Sequence, residues 1–194
     1  MPVQIGAKAH NFSNPTGLLS DCHRRIEMFL GALKVVATTI DQPLTEETAQ
    51  ALTAALRYFR EAAPKHTADE EESLFPRLRG VNDPDARAAL AQLDHLEKDH
   101  QWADTLHAEV DRLGQRYLSK TRLSPAEAEK FRTAVDQLGS MYQQHIRVED
   151  EMIFPVAARV LSQDDRASIA REMADRRNIG LVTQISRKRK PEKS

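Results

Sequence analysis

The chain carries one chemical motif twice. His66-Thr67-Ala68-Asp69-Glu70 leads into Leu74-Phe75-Pro76, and His145-Ile146-Arg147-Val148-Glu149 leads into Ile153-Phe154-Pro155. Both read His-x3-Glu, three residues, then aliphatic-Phe-Pro. A further His precedes each copy: His23 lies 43 residues before His66, and His100 lies 45 residues before His145. On an α-helix, positions i and i+4 share a face about one turn apart, roughly 6 Å. Four helices turning these residues toward one axis satisfy the repeat.

The apolar periodicity supports four such helices. A 3–4 spacing of Leu19, Cys22, Ile26, Phe29, Leu33 and Val36 predicts a first helix from about Pro15 to Ile40, stopped by Asp41-Gln42-Pro43. A second runs from about Thr45 to Arg79 with stripe Leu52, Leu56, Phe59, Ala63, His66, Glu70 and Leu74. Pro64 lies inside it and removes a backbone hydrogen bond, so a kink is expected just before His66. Asp83-Pro84 is expected to open a third helix to about Leu118, with Leu93, Leu96, His100, Ala103, His107 and Val110 inward. Ser124-Pro125-Ala126-Glu127 forms a capping box at the start of a fourth, whose stripe includes Phe131, Val135, Leu138, Tyr142, His145, Glu149 and Ile153. A short helix from about Gln163 to Arg177 follows. The expected fold is all-α: an up-down-up-down four-helix bundle with a short fifth C-terminal helix. Residues 1–180 form one domain in this reading, and 181–194 a basic, disordered tail.

Composition excludes several functions. Residues 186–194 carry five Lys/Arg and one Glu, while the whole chain has formal charge −1, so the body is acidic. An acidic body is not expected to bind nucleic acid. No apolar run is long enough to span a membrane, and no leader pattern opens the chain. The single Cys22 precludes an intramolecular disulfide, and a cytoplasmic location is expected.

The inward His and Glu residues need a reason to be there. Two buried, unpaired carboxylates would each cost several kcal/mol. Cations remove that cost, and a carboxylate with two oxygens can bridge two of them. Imidazole and carboxylate donors without a thiolate suit iron, manganese or zinc. His23, His66, Glu70, His100, His145 and Glu149 are therefore candidate metal ligands.

The ordered set His…His-x3-Glu…His…His-x3-Glu, with aliphatic-Phe-Pro after each acid, resembles the hemerythrin-like (HHE cation-binding) family over about residues 15–160. The resemblance implies a non-haem di-iron centre bridged by Glu70, Glu149 and an oxo or hydroxo group, with manganese or zinc as other occupants. It further implies a small diatomic or peroxide ligand. The protein would bind or sense O2, NO or peroxide, or handle iron under redox stress. The alternatives are a di-iron enzyme that consumes peroxide or O2 or repairs damaged iron centres, and a structural zinc bundle. One position departs from the pattern of oxygen carriers, which place a fifth His one turn before the third-helix ligand; here Leu96 stands there.

A seventh ligand could come from Glu97, Asp104, Glu27 or His107. The three acids read equally as solvated helix charges, and His107 as a hydrogen-bonded core residue. Tyr142 fits either a core aromatic or a hydrogen-bond donor to a ligand. In the acidic run, Glu70 is read as inward, Asp69 and Glu72 as solvated, and Glu71 is left open. Cys22 reads as core packing. His10 and His95 lie off the stripes, and each Phe-Pro pair is expected to mark a helix bend.

Overall fold

A computed structural model describes residues 10–180. The expected basic tail from residue 186 lies outside the described residues. Helix α1 spans Pro15–Thr39; the Asn14 side chain accepts from the Gly17 amide at its start, and Pro15 sits where no amide donor is needed. The second arm of the bundle is segmented. It comprises α2 (Glu46–Glu61), α3 (Ala63–Ala68), a π-helical turn (Asp69–Leu74) and α4 (Phe75–Arg79). The break at Ala62 immediately precedes Ala63-Pro64, as the Pro64 ring requires.

The expected third helix is shorter than its Asp83-Pro84 signal suggests. That segment makes a 3-10 turn (Pro84–Ala86) and one turn of α5 (Arg87–Leu90). A separate α6 runs Leu93–Lys120. Ala86 and Ala89 are buried with Leu93 and Leu96, so the short turn bends to bury its small apolar side. The fourth arm comprises α7 (Pro125–Val148), a second π turn (Glu149–Ile153) and α8 (Phe154–Val160), and α9 (Gln163–Asp175) follows. Both halves of the Ser124–Glu127 capping box form.

Helix α1 packs on α2 and α7, and α6 packs on α7 and α2, closing a ring of four arms in sequence order. At one end Tyr117 donates to the Gln42 carbonyl (3.0 Å), and the Leu44 amide to the Thr121 carbonyl (3.0 Å), tying the two loops there together. The described residues contain no strand, and none of their helices is long and apolar enough to cross a membrane.

The apolar interior is in two parts. One holds Leu33, Leu52, Phe131 and Leu138 among others. The other holds Leu19, Leu74, Phe75, Leu96, Ile153 and Phe154. Between the sequence positions that feed them lie the buried polar side chains His23, His66, Glu70, His100, His145 and Glu149.

Candidate metal centre

The two π turns contain the acids of the repeat: one begins at Asp69, just before Glu70, and the other at Glu149. In each, a Phe amide donates back five residues, Phe75 to the Glu70 carbonyl and Phe154 to the Glu149 carbonyl. Proline explains the extra residue. Pro76 and Pro155 would each press on a carbonyl four residues back, and the wider π turn moves that carbonyl away. The bend expected at each Phe-Pro pair is therefore a π turn that ends there. It starts where the carboxylate must project inward. The two Phe rings cross the repeat: Phe154 stacks on His23 at 5.3 Å between ring centres, and Phe75 lies parallel to His100 at 6.3 Å.

The structure brings all six candidates together, in two four-membered groups. Donor atoms of His23, His66, Glu70 and Glu149 lie within 4.8 Å of one another, and so do those of Glu70, His100, His145 and Glu149. Both carboxylates belong to both groups. His23 Nε2 is 3.1 Å from Glu149 Oε2 and 3.9 Å from Glu70 Oε1, and His66 Nε2 is 3.3 Å from Glu70 Oε1. His100 Nε2 is 3.4 Å from Glu70 Oε2, and His145 Nε2 is 3.2 Å from Glu149 Oε2.

These donors fit cations. All four oxygens of the two buried carboxylates lack a hydrogen-bond partner, as does His23 Nε2. These oxygens and His23 Nε2 stand within 4.8 Å of the other donors of their groups without forming hydrogen bonds. Two nitrogens about 2.1 Å from one ion and about a right angle apart would be separated by about 3 Å; His100 Nε2 and His145 Nε2 are 3.1 Å apart.

Without cations, protons must serve the layer. Burial, and then the charge of Glu149, push the Glu70 carboxyl well above its usual range. Burial works against Glu149 as well, but His145 and His23 hold its carboxyl below the usual range. The pair thus behaves as two acids sharing one proton. Burial opposes charge on His23, but Asp150 and Glu149 outweigh it and lift the imidazole to about 9. Glu149 and Asp99 do the same for His145 against its burial, again to about 9. Burial and the neighbouring His23 push His66 well below its normal value. Cations at the shared donors would displace these protons.

Sequence reasoning missed the supporting carboxylates. His23 Nδ1 meets Asp150 Oδ1 at 3.1 Å, His100 Nδ1 meets Glu71 Oε1 at 2.8 Å, and His145 Nδ1 meets Asp99 Oδ2 at 3.3 Å. Asp150 and Glu71 each follow a repeat glutamate, and Asp99 precedes His100. Adjacency to the motif was the available signal.

The candidates for a seventh ligand lie elsewhere. Glu97 pairs with Arg79 at 2.7 Å, Asp104 and Glu27 are exposed, and His107 hydrogen-bonds the Tyr142 hydroxyl at 3.0 Å. That bond also gives Tyr142 a partner, as a core aromatic needs. Leu96 is fully buried in the apolar interior, Cys22 is buried, and His95 is exposed. His10 is half-buried, with its amide on buried Asp21 at 2.8 Å.

One expectation is corrected. Asp69 is not solvated: it is fully buried, with Arg176 Nη1 at 3.0 Å and Arg177 Nη2 at 2.6 Å on its two oxygens. Arg176 also reaches Glu72, which is exposed as expected, and Ser73, while Arg77 pairs with Glu172 at 2.7 Å. The end of α9 is thereby fastened over the π turn that presents Glu70.

Bundle and polar layer together define a helical metal-binding protein. The chain matches the family described as Hemerythrin HHE cation binding domain over residues 14–172, and it belongs to that family. It is also similar to a Haemophilus influenzae protein described only as "Uncharacterized protein", with 25% identity over 169 residues covering 87% of this chain and 92% of that one.

Proposed function

We propose that the layer holds two iron ions, one on His23 and His66 and the other on His100 and His145. Glu70 and Glu149, which belong to both groups, would help hold both ions. The observation that carries this reading is that both carboxylates belong to both donor groups. When bound, such a pair supplies reversible electron transfer toward a small ligand such as O2, NO or peroxide.

The chain's own residues prepare the layer for that role. Asp150, Glu71 and Asp99 receive the Nδ1 protons of His23, His100 and His145, which leaves each Nε2 lone pair facing the centre. Phe75 and Phe154 cover two imidazoles and keep the layer dry. Leu96 adds an apolar wall where an oxygen carrier has a further imidazole. Each position would therefore have two His and share two Glu, and a small ligand would complete the coordination of the ion held there. This supports binding, sensing or iron handling over simple oxygen transport. We place the protein in the cytoplasm, where its lone Cys22 would stay a thiol.

Elemental analysis with an optical spectrum on anaerobically purified protein tests the proposal. Two irons per chain and new absorption bands on adding O2 or NO are expected. Two zincs per chain, or no bound metal, would refute it.

A further inference from the structure

The four imidazoles are not held alike. A ligating His binds best when its remote ring nitrogen donates to a fixed acceptor. That bond selects the tautomer, locks the ring and makes the metal-facing nitrogen more basic. His100 has Glu71 at 2.8 Å and His145 has Asp99 at 3.3 Å, and their Nε2 atoms already stand 3.1 Å apart. On the other side, His23 has Asp150 at 3.1 Å. His66 has nothing equivalent: its Nδ1 is buried without a hydrogen-bond partner. Glu70 and Glu149 belong to both groups, so the clearest difference between the positions lies in how their imidazoles are held.

We propose that the two cation positions differ in affinity and fill in order. The first cation takes the His100–His145 position with Glu70 and Glu149. The His23–His66 position is the weaker and more exchangeable, because no acceptor fixes the His66 ring or tunes its nitrogen. This rests on the ligand assignment made above. Its consequence is a stable species with one cation per chain, able to take up or release a second, which suits iron handling better than a permanently filled pair.

The test is a titration of the metal-free full chain with Co2+ under argon, read by calorimetry and by native mass spectrometry. Two steps are expected, with the one-cobalt species dominant at one equivalent. His66→Ala should keep one cobalt at the wild-type first affinity, and His100→Ala should lose the tight step. Asp99→Asn, a milder change, should weaken the first step about 10- to 100-fold and spare the second; Asp150→Asn should weaken the second. Direct passage from zero to two cobalts, or weakening of only the second step in Asp99→Asn, would overturn the ordered filling while leaving the ligands intact. Wild-type binding of two cobalts by both His→Ala variants, or no binding by the wild type, would overturn the ligand assignment as well.

Discussion

Replacing Asp69 by Asn tests how the end of α9 is fastened to the Glu70 turn. Asn keeps the shape and one acceptor, but its amide nitrogen then faces a guanidinium that also only donates. Of the two charge-assisted hydrogen bonds, at 3.0 Å to Arg176 and 2.6 Å to Arg177, one is lost and the other keeps only a neutral acceptor. At about 1.5–3 kcal/mol each, they set a ceiling of about 3–6 kcal/mol. Two effects lower it. The Arg176 and Arg177 side chains are 19% and 17% exposed, so freed guanidinium groups can reach water. Burial also lifts the Asp69 carboxyl above its usual range despite both arginines, so its charge already carries a desolvation penalty that Asn relieves. The net loss expected is about 2–3 kcal/mol, or a Tm lower by about 5–10 °C for a chain of this size. Urea and thermal unfolding of the metal-free protein at neutral pH measure it. Glu72→Gln is the control: Glu72 is exposed and pairs with Arg176 alone, so its change should stay within about 0.5 kcal/mol. If Asp69→Asn is equally silent, the buried pairing does not hold α9 in place.

His145→Ala should lower metal content and, in the same sample, abolish most of the Tm increase that added metal gives the wild type, because only the folded chain has the site. Full metal retention would refute the role of His145. Burial holds folded His107 near 4, against 6.5 for the ordinary imidazole. The unfolded chain therefore takes up a proton that the folded chain refuses between those values. This contribution is fully present above pH 6.5 and is lost as pH falls toward 4. Its ceiling is about 3 kcal/mol, and His107→Phe should remove it; equal pH slopes in the two proteins over that window would refute the burial argument. Ser124→Ala breaks a complete capping box and should cost about 1 kcal/mol in urea unfolding. No measurable loss would show that the box adds nothing to the helix.

Repeat, period and helix stop signals are local, and they were enough to place six polar side chains on inward faces of four helical arms. The helix count, the break at Pro64 and the Ser124 cap could all be read from neighbours within about one turn. Asp69 could not. Its burial depends on Arg176 and Arg177, more than a hundred residues away, and on a π turn that departs from the 3.6-residue period used to assign faces. The same applies to Asp99 and Asp150, which matter because distant helices bring His145 and His23 to them. Asp83-Pro84 misled in the opposite direction. A sound local start signal opens only a short turned segment, which buries Ala86 and packs Ala89 into the apolar cluster with Leu93 and Leu96.

The polar layer also governs how the molecule comes apart. Apolar contacts spread cooperativity because each side chain touches several others; a plane of His and Glu across the bundle interrupts that network. The two apolar clusters are coupled through the four backbones and the layer between them. With the layer's charges matched, a single unfolding event is expected from both clusters. With the charges unmatched, the half containing Leu74, Phe75 and Phe154 is expected to open while the Leu33–Phe131 half stays closed, so that amide exchange would resolve two separately protected regions.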